Sequence, residues 1–149
     1  MATGSKIADW IENLGTVVNM SSDTFKVALS NTAPASEASN PTATGNGVLA
    51  NVTQIAYTNY TDTLTVDRTL ESVTWAETGG VTKFDAGDFT ITASGGSIAT
   101  FRYVYVYDDT PTSPADPLVG VWDHGSAITL TTGQTATITL NANGLFTVT

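Results

Sequence analysis

Cysteine is absent from the 149 residues, and histidine occurs once. The first absence removes disulfides, thiolate metal sites and cysteine nucleophiles together, so stability must come from packing, hydrogen bonding or association. With no thiolate and a single imidazole, a zinc site lacks ligands. Basic residues are also scarce: five Lys and Arg stand against fourteen Asp and Glu, for a formal net charge of −9. Lys6, Lys26, Arg68, Lys83 and Arg102 are scattered along the chain. Phosphate neutralisation needs clustered cations, so this balance argues against nucleic acid, and equally against an anionic membrane surface, as a partner. No apolar run approaches the roughly 20 residues of a membrane span, and Met1-Ala2-Thr3-Gly4-Ser5-Lys6 does not lead into a secretory apolar segment. The expectation is synthesis, and any assembly, in the cytosol.

What is present points to β structure. Hydrophobic residues make up 41% of the chain and charged ones only 13%, and the polar remainder is dominated by threonine, which fits pleated, half-buried surfaces. The length suits one domain able to bury roughly two thirds of the surface of its unfolded chain.

Residues 1–22 read as an N-terminal helix or arm. Ile7, Trp10, Ile11 and Leu14 fall at i, i+3, i+4 and i+7, Ser5 is placed as an N-cap and Gly15 as the residue after the C-cap. So short a helix is not stable alone, so its stripe is expected to dock on its own domain or on a neighbouring subunit. Residues 23–149 read as a single antiparallel β-sandwich. Phe25, Val27 and Leu29 alternate with Lys26, Ala28 and Ser30. Residues 31–47, rich in Ala, Ser, Thr, Asn, Pro and Gly, then form a long loop or arm. Further strands are expected at Val48–Tyr57, Thr63–Asp67, Leu70–Glu77, Asp88–Ala93, Ala99–Tyr107, Leu118–Trp122, Ala127–Leu130, Gln134–Leu140 and Leu145–Val148. Gly79-Gly80, Asp85-Ala86-Gly87, Gly95-Gly96, Thr132-Gly133 and Asn143-Gly144 mark the turns. The last two of these read as hairpins in which Ile128, Leu130, Ala136, Ile138 and Leu140 face the core and the intervening threonines face out. In Ala99–Tyr107, Phe101, Tyr103, Tyr105 and Tyr107 line one face and Val104 and Val106 the other. That pattern fits a central strand covered on both sides, or a tyrosine face offered to a subunit or a sugar.

Catalytic chemistry finds little footing. The only histidine lies in Trp122-Asp123-His124-Gly125-Ser126, and neighbouring positions on one turn do not of themselves place Asp, His and Ser in relay. No glycine loop precedes a helix to hold phosphate. Asp108, Asp109, Asp116 and Asp123 surround the proline-rich Thr110–Pro117 and offer oxygen ligands, but their spacing matches no calcium loop; aspartates beside prolines are common turn formers. Glu71 or Glu77 can be paired with these aspartates on paper, yet spatial separation defines a glycosidase pair. No cofactor or metal is expected.

Three segments carry a resemblance. Asp23-Thr24-Phe25-Lys26-Val27-Ala28-Leu29, Phe101-Arg102-Tyr103-Val104-Tyr105-Val106-Tyr107-Asp108-Asp109 and Pro117-Leu118-Val119-Gly120-Val121-Trp122-Asp123-His124-Gly125-Ser126 together resemble small virion proteins of tailed bacteriophages, of the capsid-decoration or cement type. The resemblance implies a jelly-roll or related β-sandwich, a homotrimer on the outer capsid surface, the major capsid protein as partner, and no catalysis. Broad, repeated contacts give such a protein avidity without a deep pocket, and an acidic surface favours the outside of a shell filled with nucleic acid. Ile7, Trp10, Ile11, Leu14, Tyr103, Tyr105, Tyr107 and Trp122 are the expected interface residues. A tail, baseplate or fibre location is the alternative within the particle. A carbohydrate-binding module using Trp75, Trp122 or the tyrosine face is the alternative outside it.

Overall fold

The computed structural model describes residues 3–7, 10–33, 47–140 and 144–148. In chain order the elements are β1 (Thr3–Lys6), α1 (Trp10–Thr16), β2 (Phe25–Ser30), a 3-10 turn (Leu49–Asn51), β3 (Tyr60–Asp62), β4 (Thr74–Thr78) and β5 (Val81–Asp85). There follow β6 (Phe89–Ala93), β7 (Phe101–Asp108), β8 (Leu118–Ile128), β9 (Thr135–Ile138) and β10 (Phe146–Val148). The strands form three antiparallel sheets, of orders β1-β8-β7-β2, β10-β5-β4 and β3-β6-β9. The chain therefore has an all-β, sandwich-like fold with one short α-helix among the described residues, as its composition and turn spacing imply.

β7 occupies the centre of the first sheet, between β8 and β2. All its residues except Arg102 are buried, because β2 and β8 flank it and both of its faces are covered. The four aromatic positions Phe101, Tyr103, Tyr105 and Tyr107 thus serve the core, and the central-strand reading holds.

One hydrophobic cluster spans all three sheets. Its densest part is aromatic. Trp10 packs edge-on against Phe25 and Phe146 with ring centroids 6.5 and 6.1 Å apart, and Phe84 joins Phe25 at 4.8 Å and Phe146 at 5.5 Å. Side chains from α1, β2, β5 and β10 meet there, so this cluster ties the helix and the β10-β5-β4 sheet to the edge of the first sheet. Edge-to-face pairs contribute about 0.5–1.5 kcal/mol each beyond the area they bury.

The N-terminal segment departs from expectation. Thr3–Lys6 pairs with β8 as a strand, in the register Thr3↔Asp123 to Lys6↔Gly120, and the described helix spans Trp10–Thr16. Ser5 is thus a strand residue and not an N-cap. The ladder continues as the Ile7 N–H donates to Val119 O at 3.2 Å, which fixes extended backbone where helical periodicity of four apolar residues suggested otherwise. The stripe has two origins: Ile7 is buried from the strand end and Trp10 from the helix start.

Both C-terminal hairpins are corrected as well. The alternation of apolar and threonine positions is present, with Leu130 and Leu140 buried and Thr129, Thr131, Thr135, Thr137 and Thr139 exposed. Ile128, however, pairs with Phe101 in the first sheet, whereas β9 pairs with β6 and β10 with β5. The turn at Thr131–Gln134, closed by Gln134 N–H to Thr131 O at 2.8 Å, carries the chain from one sheet to another. Most of the long 31–47 arm lies outside the described residues.

Candidate functional site

The eight expected interface residues do not form one surface. Ile7, Trp10, Tyr103, Tyr105 and Tyr107 are at most 6% exposed and are consumed by the protein's own core, so they have no area to give a partner. Leu14 and Trp122 are half-buried and pack against that core. Ile11 alone is open, at 47%. The Trp10 ring points into the aromatic cluster, and Ile11, the next residue of α1, faces outward. The Trp10 indole N–H is buried with no acceptor among the described residues.

The His124 segment is an excursion in β8. Tyr103 pairs with Asp123 and Phe101 with Ile128, so β8 spends five steps where β7 spends two, and residues 124–127 bulge into solvent. Gly125 takes the positive φ of 90° that this turn requires. Arg102 grips Asp123 through two parallel hydrogen bonds of 2.7 Å, and Asp123 Oδ1 also accepts the Gly125 N–H. The Arg102 guanidinium holds the Asp123 carboxyl down at about 2. His124 Nδ1 lies 3.1 Å from Ser126 O and 3.4 Å from Ser126 Oγ. Asp123 is therefore committed to Arg102 and Gly125, and no Ser-His-Asp relay is assembled.

The other carboxylates are mostly turn and ladder fixtures. Glu71 accepts from the Thr65 N–H and hydroxyl, which hold its carboxyl below the usual range, and Glu77 accepts from Gly80 N–H across the β4–β5 turn. Asp116 is raised, first by burial and then by Asp109. Asp108 is fully buried; burial, and then the neighbouring Asp23 carboxyl, push it up to about 7. Beside this pair a cavity of about 310 Å³ is lined by Val17, Asp23 and Thr110–Ser113. Among the described residues no three acidic or imidazole side chains gather closely enough to hold a metal. No described helix is long and apolar enough to cross a membrane.

A second cavity, of about 270 Å³, is lined by Tyr57, Tyr60, Thr61, Asp62, Asp67 and Arg68. Sequence reading missed it by assigning Val48–Tyr57 and Thr63–Asp67 to strands. The first stretch instead contains the 3-10 turn and isolated bridges, and only Tyr60–Asp62 is a strand. The Tyr57 hydroxyl accepts the Leu29 N–H at 2.9 Å and donates to Gln54 Oε1 at 3.0 Å, which locks its ring. The Arg68 guanidinium carbon lies 4.1 Å from the centroid of that ring. Tyr60 stands edge-on to Tyr57, with ring centroids 5.3 Å apart, and donates to Asp62 Oδ2 at 2.7 Å. Burial raises both tyrosine hydroxyls above their usual range, and Asp62 adds to the rise at Tyr60. The visible signal was two tyrosines, two aspartates and an arginine within Tyr57–Arg68, but no alternation ranks such a cluster as a site.

These features define an antiparallel all-β domain with one shared hydrophobic core, a salt-bridged bulge and, among the described residues, the two cavities above. No family model, curated protein or solved structure matches the chain.

Proposed function

We propose that the protein is a non-catalytic virion structural component of the tailed-bacteriophage capsid-decoration type, built on a jelly-roll-related sandwich and bound as a homotrimer to the major capsid protein on the outer face of the shell. The reading rests on the resemblance of the three segments quoted above. The geometric observation that supports it is the outward position of Ile11 on α1, 47% exposed, with Val17 in the segment just after the helix 38% exposed. Large apolar side chains left open on and just after a short helix suit a broad, shallow contact repeated over a lattice, in which multiplicity supplies the avidity. The acidic balance, −9 overall, suits the outer face because packaged nucleic acid repels it. Tail, baseplate and fibre positions share the same requirements, and symmetry separates them.

The test is co-sedimentation of the purified protein with expanded, undecorated capsids of the phage that encodes it, with light scattering to give its own mass. Saturation at a copy number matched to the lattice, by a trimer, is the expected result. Absence of binding at micromolar concentration overturns the decoration reading and directs the same assay to tail assemblies.

A further inference from the structure

We propose that the cavity bounded by Tyr57, Tyr60, Asp62, Asp67 and Arg68 is a binding site for one neutral saccharide ring. Some of the lining groups are committed inside the protein and others face the open side. Asp62 is spent internally: its two oxygens accept from the Tyr60 hydroxyl and from the Leu64 N–H, at 2.7 and 3.0 Å, so it orients the Tyr60 ring. Tyr57 is spent too, with its hydroxyl satisfied on both sides and Arg68 over its face. What faces the open side is an ion pair: the Asp67 carboxylate, 61% exposed, lies 3.1 Å from the guanidinium of Arg68, whose side chain is 20% exposed. An acceptor and a planar donor side by side, next to a partly exposed tyrosine ring, match adjacent hydroxyls on a ring whose C–H face packs on an aromatic side chain.

Charge narrows the class. The lining holds two carboxylates and one guanidinium, so an anion meets net negative charge. A small cation meets Arg68 and, behind Asp67, Lys26 with its Nζ 3.8 Å from Asp67 Oδ2. A neutral polyol uses the carboxylate and the guanidinium together and is opposed by neither. The cavity of about 270 Å³ has room for one sugar ring.

Two further observations mark the place as built. Asp67 and Arg68 are successive non-glycine residues at φ of 21° and 56°, a left-handed conformation that costs about 1–2 kcal/mol per residue and persists only where the surroundings enforce it. The strained pair is fixed from behind, since Val27 N–H donates to Arg68 O at 3.0 Å. In addition, Arg68 Nε is buried with no acceptor among the described residues, a cost of its own that accompanies holding the guanidinium over Tyr57.

The test is a series of two-dimensional ¹H–¹⁵N spectra of the full chain titrated with D-glucose, D-galactose, D-mannose and N-acetylglucosamine up to tens of millimolar. Inorganic phosphate and methylammonium are the charged controls. A single ring with few contacts binds weakly, in the range of about 1 mM. The expected result is saturable shifts confined to residues 57–68 with at least one sugar, weakened about tenfold in Asp67→Asn and in Tyr60→Ala. The exposed position of Asp67 keeps the first variant folded, and its thermal unfolding is checked against the parent. No sugar response, a response unmoved by Asp67→Asn, or a response to phosphate or methylammonium in place of sugar each overturns the proposal. None of these outcomes depends on where the protein sits in a particle, so the capsid assay stands or falls separately.

Discussion

At Asp108 the carboxyl is fully buried, and Oδ1 accepts the Thr110 N–H at 3.0 Å while Oδ2 has no donor. The Asp23 carboxyl beside it supplies one only when a proton is shared between the two. Burial and this neighbour raise Asp108 to about 7, against about 3.9 in an unfolded chain. The folded state therefore holds the proton more tightly, so the stabilisation is complete below about pH 4 and is lost as pH rises through about 7. Asp108→Asn keeps a neutral donor facing Asp23. Urea unfolding is expected to show a flatter decline between about pH 5 and pH 8 and a gain of roughly 1–2 kcal/mol at the upper end; an unchanged slope removes Asp108 as its cause. Asp123 has the opposite sign. Its lowered carboxyl stabilises the fold above the unfolded value of about 3.9 and loses that contribution as pH falls toward about 2. With the guanidinium removed in Arg102→Met, carboxyl NMR is expected to find Asp123 raised toward the ordinary range, still held somewhat below it by the Gly125 N–H, and the signals of residues 124–127 broadened.

At the scale of elements, alternation identified what it could see. Phe25–Ser30, Phe89–Ala93 and Phe101–Asp108 appear close to their expected bounds because each buries alternate residues or all but one. β5 escaped because only Phe84 of its five residues is fully buried and its flanks, Gly79-Gly80 and Asp85-Ala86-Gly87, read as turns. Leu118–Trp122 and Ala127–Leu130 were divided at the glycine-containing bulge, which is now seen to interrupt a single strand. The site was less legible than the fold. Tyr57, Asp67 and Arg68 come together through left-handed backbone and a cation–ring contact, neither of which leaves a period in the sequence. Strand partners at sheet crossovers are likewise invisible locally, and Gly144 shows what such a crossover demands. It has φ of 86°, and an added Cβ meets Lys83 Cγ and lies 2.7 Å from the backbone oxygen of Phe84. Gly79, at φ of 64°, has open space around it. Gly144→Ala is expected to cost about 2–3 kcal/mol in denaturant unfolding and Gly79→Ala about 1 kcal/mol; equal losses would mean that the contact with β5 relaxes freely.

For the whole molecule, one core shared by three sheets and the helix takes most of the large apolar side chains and leaves Ile11, Val17, Val66 and Val148 exposed among the described residues, and this decides which residue reports on assembly. Trp10 sits at zero exposure between Phe25 and Phe146, so Trp10→Ala opens a cavity at the junction of α1, β2 and β10. The expected loss is about 3–5 kcal/mol of folding stability, large against the marginal stability of a domain this size. Any loss of capsid binding by that variant would be a consequence of unfolding. Ile11 occupies the next position on the same helix and is 47% exposed, so Ile11→Asp exchanges surface methyls for a charge without disturbing the aromatic cluster. Exposed substitutions of this kind stay within about 0.5 kcal/mol, whereas a charge placed at the centre of an apolar contact costs about 2 kcal/mol or more of binding. Thermal unfolding is expected to be unchanged and the copies bound per shell to fall steeply. Full occupancy by Ile11→Asp would move the contact off α1, leaving the open edge of β4, where only Trp75 is half-buried and the rest is exposed, as the next surface to mutate.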